Sequence, residues 1–153
     1  MPQRTVHDEF EAFVERVEAR LRIALVAVFG QESGRDAAAE ALAYGWEHWG
    51  DVSVMDNPVG YLYRVGRSSQ RRRKELTWAE VPVDATPHVE PGLPTAIASL
   101  SEMQRLAVVL VHAYGWGRGE VAELGGVSVS SVDTHLARGL LKLRGSLGVD
   151  THV

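Results

Sequence analysis

Between Glu75 and Pro94 the chain reads ELTWAEVPVDATPHVEPGLP, and this stretch limits what the rest can fold into. Four of the six prolines (Pro82, Pro87, Pro91 and Pro94) lie in it, with Glu75, Glu80, Asp84 and Glu90 and no cation. Prolines at that density remove the N–H donors that helix and sheet require, and the acids keep the segment in water. The pattern predicts an acidic, Pro-rich linker over 75–95. It would join two small domains, 1–74 and 96–148, in a chain of 153 residues.

Both flanks carry helical periodicity, and no alternating pattern is long enough for a strand. An all-α fold with two small helical domains is therefore expected. Phe10, Phe13, Val14, Val17, Leu21, Ala24, Leu25 and Val28 recur at steps of three and four, an amphipathic helix ended by Gly30. The GQESG stretch predicts a break before a second helix, from about Arg35 to Trp49, with Ala38, Ala41, Leu42, Gly45 and Trp49 on one face. Asn57-Pro58, a cap residue and a proline at the first helical position, opens a third. Its apolar side would be Tyr61, Leu62, Val65 and Ser69, and its other side Arg64, Arg67, Arg71 and Lys74.

Beyond the linker, Ser101-Glu102-Met103-Gln104 fits a capping box, leading into a helix through Leu106, Val109, Leu110 and Ala113 to Gly115. A short helix from Arg118 to Leu124, the turn Gly125-Gly126-Val127 and the cap Ser128 follow. Val129, Val132, Leu136, Leu140, Leu143 and Leu147 then form one stripe. This is the pattern of a helix-turn-helix, with Ser130, Ser131, Asp133, Thr134, His135 and Arg138 facing outward beside Ser128. Hydroxyls and Arg suit phosphate and base-edge contacts, and Asp can accept from cytosine N4. A three-helix packing unit with no ligand is the alternative reading of the same spacing.

The formal net charge of −4 hides an uneven distribution. Asn57 to Lys74 holds Arg64, Arg67, Arg71, Arg72, Arg73 and Lys74 without one acid. The helix dipole favours cations near a C-terminus by about 0.3–1 kcal/mol each, which accounts for one or two more easily than for six. Tyr61 and Tyr63, interleaved with these cations, could stack on unpaired bases while Arg holds the backbone. Trp46 and Trp49 on the second helix fit either a core or a protein-binding edge.

Several function classes are excluded or disfavoured. The absence of Cys rules out disulfides and thiolate chemistry, and no two His share helical ligand spacing, so neither metal nor cofactor is expected. No serine sits in a nucleophile elbow and no carboxylate pair stands out; no catalytic residue is assigned and no enzyme is expected. The longest uncharged apolar run, Leu106 to Gly117, is too short for a membrane span, and the charged N-terminal stretch has no signal-peptide core. A cytoplasmic location is the expectation.

Taken together, these motifs resemble those of a bacterial RNA polymerase sigma factor, of the extracytoplasmic-function (ECF) group in the sigma-70 family. RDAAAEALAYGWEHW resembles region 2.2, with Asp36, Glu40, Leu42 and Trp46 at its acid, acid, apolar and Trp positions. NPVGYLYRVGRSSQRRR resembles the region 2.3–2.4 helix. The stretch from Leu100 to Leu147 resembles region 4 at Gln104-Arg105, Glu120-Val121-Ala122, Gly126, Ser128, Val132, Leu136, Arg138 and Leu143-Arg144.

The resemblance implies that Asp36, Glu40, Leu42 and Trp46 dock on core RNA polymerase. It implies that the 57–74 helix, with the Asp51–Asp56 loop, melts and reads the minus-ten element of promoter DNA. The linker would thread toward the polymerase cleft, the 128–144 helix would read the minus-thirty-five element, and an anti-sigma protein would be a further partner. The sequence departs from the family pattern at Ala39, Ser68, Gly125, Asp133 and His135. A stand-alone helix-turn-helix regulator, or a sigma-like protein acting only through protein contacts, are the rival readings.

Overall fold

The computed structural model describes residues 3–76 and 92–148, without the side chains of residues 74–76. Most of the expected linker, 77–91, and the Lys74 side chain lie outside the described residues. Every regular element among the described residues is a helix, so the all-α expectation holds. The chain divides into two compact units, Met1–Thr77 and Trp78–Val153, each with its own core.

The first unit is built on α1, Val6–Phe29. Its start is fixed reciprocally: the Asp8 amide donates to the Thr5 hydroxyl at 3.2 Å, and the Thr5 amide to the Asp8 carboxylate at 3.1 Å. Those bonds hold the Asp8 carboxyl below the usual carboxylate range. The stripe Phe13, Val17, Leu21, Ala24, Leu25 and Val28 is buried, at about 1.5–3 kcal/mol per large side chain.

The expected break at GQESG is confined to Gly30. Helix α2, Gln31–Glu47, begins directly after Gly30, several residues earlier than Arg35. The reason lies in the crossing with α1. A Cβ on Gly34 would stand 2.4 Å from the Val26 Cα, so glycine there lets the two backbones touch. Ala37, Ala38, Ala41 and Gly45 continue this small-residue seam. A single turn, α3 (Trp49–Val52), leads to α4, Pro58–Leu76. Trp49 packs with Phe13 and Phe10, ring centroids 5.0 and 5.3 Å apart, which makes it part of the core edge.

The second unit starts earlier than the sequence suggests. Leu93–Ala98 forms α5, so the C-terminal end of the segment read as linker is already helical. Arg105 explains how so short a helix ends: its guanidinium donates to the carbonyls of Ile97 (3.1 Å), Ala98 (3.1 Å) and Leu100 (2.9 Å). Helix α6, Glu102–Val108, opens with the expected Ser101/Gln104 box and runs into a π-helical turn, Val109–Ala113. Helix α7, Arg118–Gly125, ends at Gly126, whose left-handed backbone (φ 67°) turns the chain into α8, Val129–Ser146. Val132, Leu136 and Leu143 are buried as expected, whereas Val129, assigned to the same stripe, is 48% exposed.

Candidate nucleic-acid interface

The basic helix α4 is anchored at its start, where the Gly60 amide donates to Asn57 Oδ1 at 3.0 Å. Its buried side is Leu62, Tyr63, Gly66 and Gln70, about one residue further round than the apolar side expected from Tyr61, Leu62, Val65 and Ser69. Close approach sets this rotation rather than hydrophobicity alone. A Cβ at Gly66 would meet Leu25 Cδ1 at 2.9 Å and the Ala37 carbonyl oxygen at 3.0 Å, so residue 66 must face the other helices.

The rotation reassigns the candidate residues. Tyr63, a candidate for base stacking, is 1% exposed and belongs to the core; its ring is not offered to a base. Tyr61 keeps a half-buried ring, with its hydroxyl 3.2 Å from that of Tyr44. This hydrogen bond, with burial, pushes the Tyr44 phenol up from its ordinary value. Arg64, Arg71 and Arg72 are exposed, and Arg67 is half-buried with no hydrogen-bond partner at its Nε among the described residues.

Arg73 falls on the inner side, three and seven residues after Gln70 and Gly66, and turns toward α2. It pairs with Glu40 and stands 3.8 Å from Asp36. Ser69, one turn earlier, donates to the same Glu40 carboxylate. The outer face of α2 thus has two flanks. Asp36 and Glu40 form one, against α4. Leu42 and Trp46 lie on the other, where Trp46, 46% exposed, packs on Phe10 (5.1 Å) and edge-on to His7 (5.7 Å). The exposed alanines Ala39 and Ala43 lie between them.

On α8, Ser128 caps the helix by accepting from the Ser131 amide at 3.1 Å, and its hydroxyl lies 3.1 Å from that of Ser130. Thr134 donates to the Ser130 carbonyl at 3.0 Å. Ser128, Ser130, Asp133, Thr134 and Arg138 are exposed; Ser131 and His135 are half-buried. Asp133 does not stand alone. Arg118, in the first turn of α7, donates to it at 3.0 Å. Arg118 was not among the sequence candidates, because only the turn at Gly126 brings positions 118 and 133 together. The pair joins the first turn of α7 to the second turn of α8, the two helices of the helix-turn-helix.

Fold and site together define an all-α protein of two units, one presenting a basic helix and one a helix-turn-helix. Residues 92–143 match the family model for sigma-70, region 4. The match runs from the residue before α5 into the last turns of α8, and so takes in most of the second unit's described residues. No curated protein matches the chain in sequence. Among solved structures the chain is similar to the sigma factor RpoE of Bartonella quintana, co-crystallised with the anti-sigma factor NepR. That likeness has 20% identity and a TM-score of 0.63, over 93% of this chain and 98% of that one. It is likewise similar to CnrH, solved in complex with the cytosolic domain of CnrY, at 21% identity and a TM-score of 0.60, over 95% and 91%. The chain thus matches sigma-70 region 4 over 92–143 and shares the all-α, two-unit fold of these solved structures, as the resemblance implied. No described helix is long and apolar enough to cross a membrane.

Proposed function

We propose that the chain is a sigma factor of the ECF group, which brings core RNA polymerase to promoter DNA and has no catalytic step of its own. The observation that carries this reading is the region 4 match over 92–143, in a chain whose other unit presents a basic helix. Residues 1–74 act as the region 2 domain and 75–91 as the linker. The C-terminal domain begins at Gly92, just before α5, rather than at residue 96.

In this reading Arg64, Arg71 and Arg72 hold the phosphates of the melted minus-ten strand, Arg67 supports them from a half-buried position, and Tyr61 stacks on a base. Helix α8 enters the major groove at the minus-thirty-five element with Ser130, Thr134 and Arg138 outward. Trp46 and Leu42 form an apolar contact for polymerase beside the acidic flank Asp36/Glu40. By analogy with the neighbour held by NepR, an anti-sigma protein is the natural regulator.

Run-off transcription with purified core polymerase, this protein and a genomic promoter library tests the proposal. Transcripts sharing two spaced upstream elements are expected. Polymerase binding without transcripts would indicate a sigma-like protein acting through protein contacts alone. A promoter footprint without polymerase would indicate a stand-alone regulator.

A further inference from the structure

The sequence departs from the family pattern at Gly125, and the structure shows what lies against that glycine. A Cβ there would stand 3.4 Å from Met103 Cε, 3.6 Å from Met103 Sδ and 3.7 Å from Val127 Cγ2. The thioether of α6 therefore packs on the residue that ends α7, one position before the left-handed turn at Gly126. We propose that Met103 is a modification site. An oxidant of the peroxide class converts its thioether to the sulfoxide, and the oxidised side chain loosens the turn that sets α8 against α7. In that step a sulfur lone pair attacks one peroxide oxygen, and an S–O bond forms as the O–O bond breaks. With hydrogen peroxide, the hydroxide that leaves takes the proton of the new S–OH group and departs as water. The sulfur is oxidised by two electrons and the peroxide is reduced by two.

Composition, exposure and hydrogen bonding support it. The chain has no Cys, so no thiol of its own competes for the oxidant, and its three Met are the sulfurs on offer. Met103 is half-buried: a small oxidant reaches it, yet it is packed closely enough for the product to matter. The sulfoxide oxygen is a hydrogen-bond acceptor placed among apolar atoms, and both amides of the turn are already engaged. The Gly126 amide donates to the Glu123 carbonyl at 3.4 Å, and the Val127 amide to the Ala122 carbonyl at 3.1 Å. The new oxygen must take a donor from that turn or swing out to water, and either course parts Met103 from Gly125. A loosened turn displaces Ser130, Thr134 and Arg138 relative to α7 and lowers affinity for duplex DNA. That last consequence rests on the reading of α8 as a DNA helix, whereas the modification and its effect on the turn do not.

The test treats the full chain with hydrogen peroxide and locates the sulfoxides by peptide mass mapping. Two properties of the oxidised chain are then measured: amide hydrogen exchange at Gly126 and Val127, and affinity for a labelled duplex at low salt. Sulfoxide is expected at Met103, with faster exchange at both amides. Duplex affinity should fall roughly fourfold, the factor that losing the contact of one buried methylene gives. Methionine sulfoxide reductase should restore both properties. Met103→Leu keeps apolar packing without the sulfur, and after the same treatment it should show neither change; Met1 and Met55 are present in both proteins, so their oxidation cancels. Met103→Gln sets a polar acceptor at the position and should reproduce both changes without peroxide, which keeps the test independent of how the Leu variant folds. A Met103 that stays reduced while Met1 is oxidised would overturn the proposal. So would unchanged exchange or unchanged duplex affinity after its oxidation, or equal changes in the Met103→Leu protein. Duplex binding by the untreated chain is read separately, so a failed switch is distinguishable from a failed reading of α8.

Discussion

Asp133 is an acid in the second turn of the helix proposed to face phosphates, and Arg118 changes its surroundings. The 3.0 Å pair draws a cation from the first turn of α7 onto the face of α8, so that face is locally neutral rather than anionic. Both side chains are about half exposed, and such surface pairs contribute roughly 0–1 kcal/mol to stability. Asp133→Asn should therefore leave the thermal midpoint nearly unchanged. It should release Arg118 to duplex DNA and steepen the duplex salt slope by about 0.9, read in a salt titration with duplex DNA. In an Arg118→Ala background that steepening should vanish. If it persists, Asp133 acts by its own repulsion and the pair is incidental to binding.

At the scale of elements, α4 separates two tyrosines that look alike in YLYR. Tyr63 is in the core, and Tyr63→Ala should lower stability by about 3–5 kcal/mol, the usual range for deleting a buried aromatic ring, as measured by denaturant unfolding. Tyr61→Ala should cost less stability and instead weaken single-strand binding by about 1–3 kcal/mol, while Tyr61→Phe keeps the stacking face and most of the affinity. Equal stability losses at the two positions would mean that the rotation of α4 is misassigned. The rotation was not legible in the sequence because a hydrophobic pattern ranks Val65 above Gly66 and Gln70. It cannot register that residue 66 must be glycine where α4 nears Leu25 and Ala37. The same blindness hid the early start of α2 at Gln31, which Gly34 permits by its close contact with Val26. By contrast α1, the Asn57-Pro58 start and the turn at Gly126 were legible, because continuous apolar stripes and local caps write them. Helix α5 was hidden by Pro94, which reads as linker but fits a first turn, and by Arg105, whose capping of the Ile97, Ala98 and Leu100 carbonyls is tertiary.

For the molecule as a whole, the question is how a chain of net charge −4 holds a polyanion. In the proposed function the two units meet different forms of DNA with different sets of cations. The first unit exposes Arg64, Arg71 and Arg72 on one helix, and Arg73 pairs with Glu40 on α2. The second exposes Arg138, Lys142 and Arg144 on α8, of which only Arg138 lies near the helix's N-terminal half, and it pairs Arg118 with Asp133. At about −0.7 per single-strand contact and −0.9 per duplex contact, Arg64, Arg71 and Arg72 would give a slope near −2, and Arg138 alone about −0.9. On the proposed function, the larger share of the electrostatic grip then appears once a strand is unpaired. With core polymerase present, a promoter duplex carrying an unpaired minus-ten segment should bind more tightly than the fully paired duplex of the same sequence. Changing Arg71 and Arg72 to Gln should remove most of that advantage without altering affinity for the paired form. Equal affinity for the two duplexes, or a loss shared equally between them, would place the grip elsewhere than on α4.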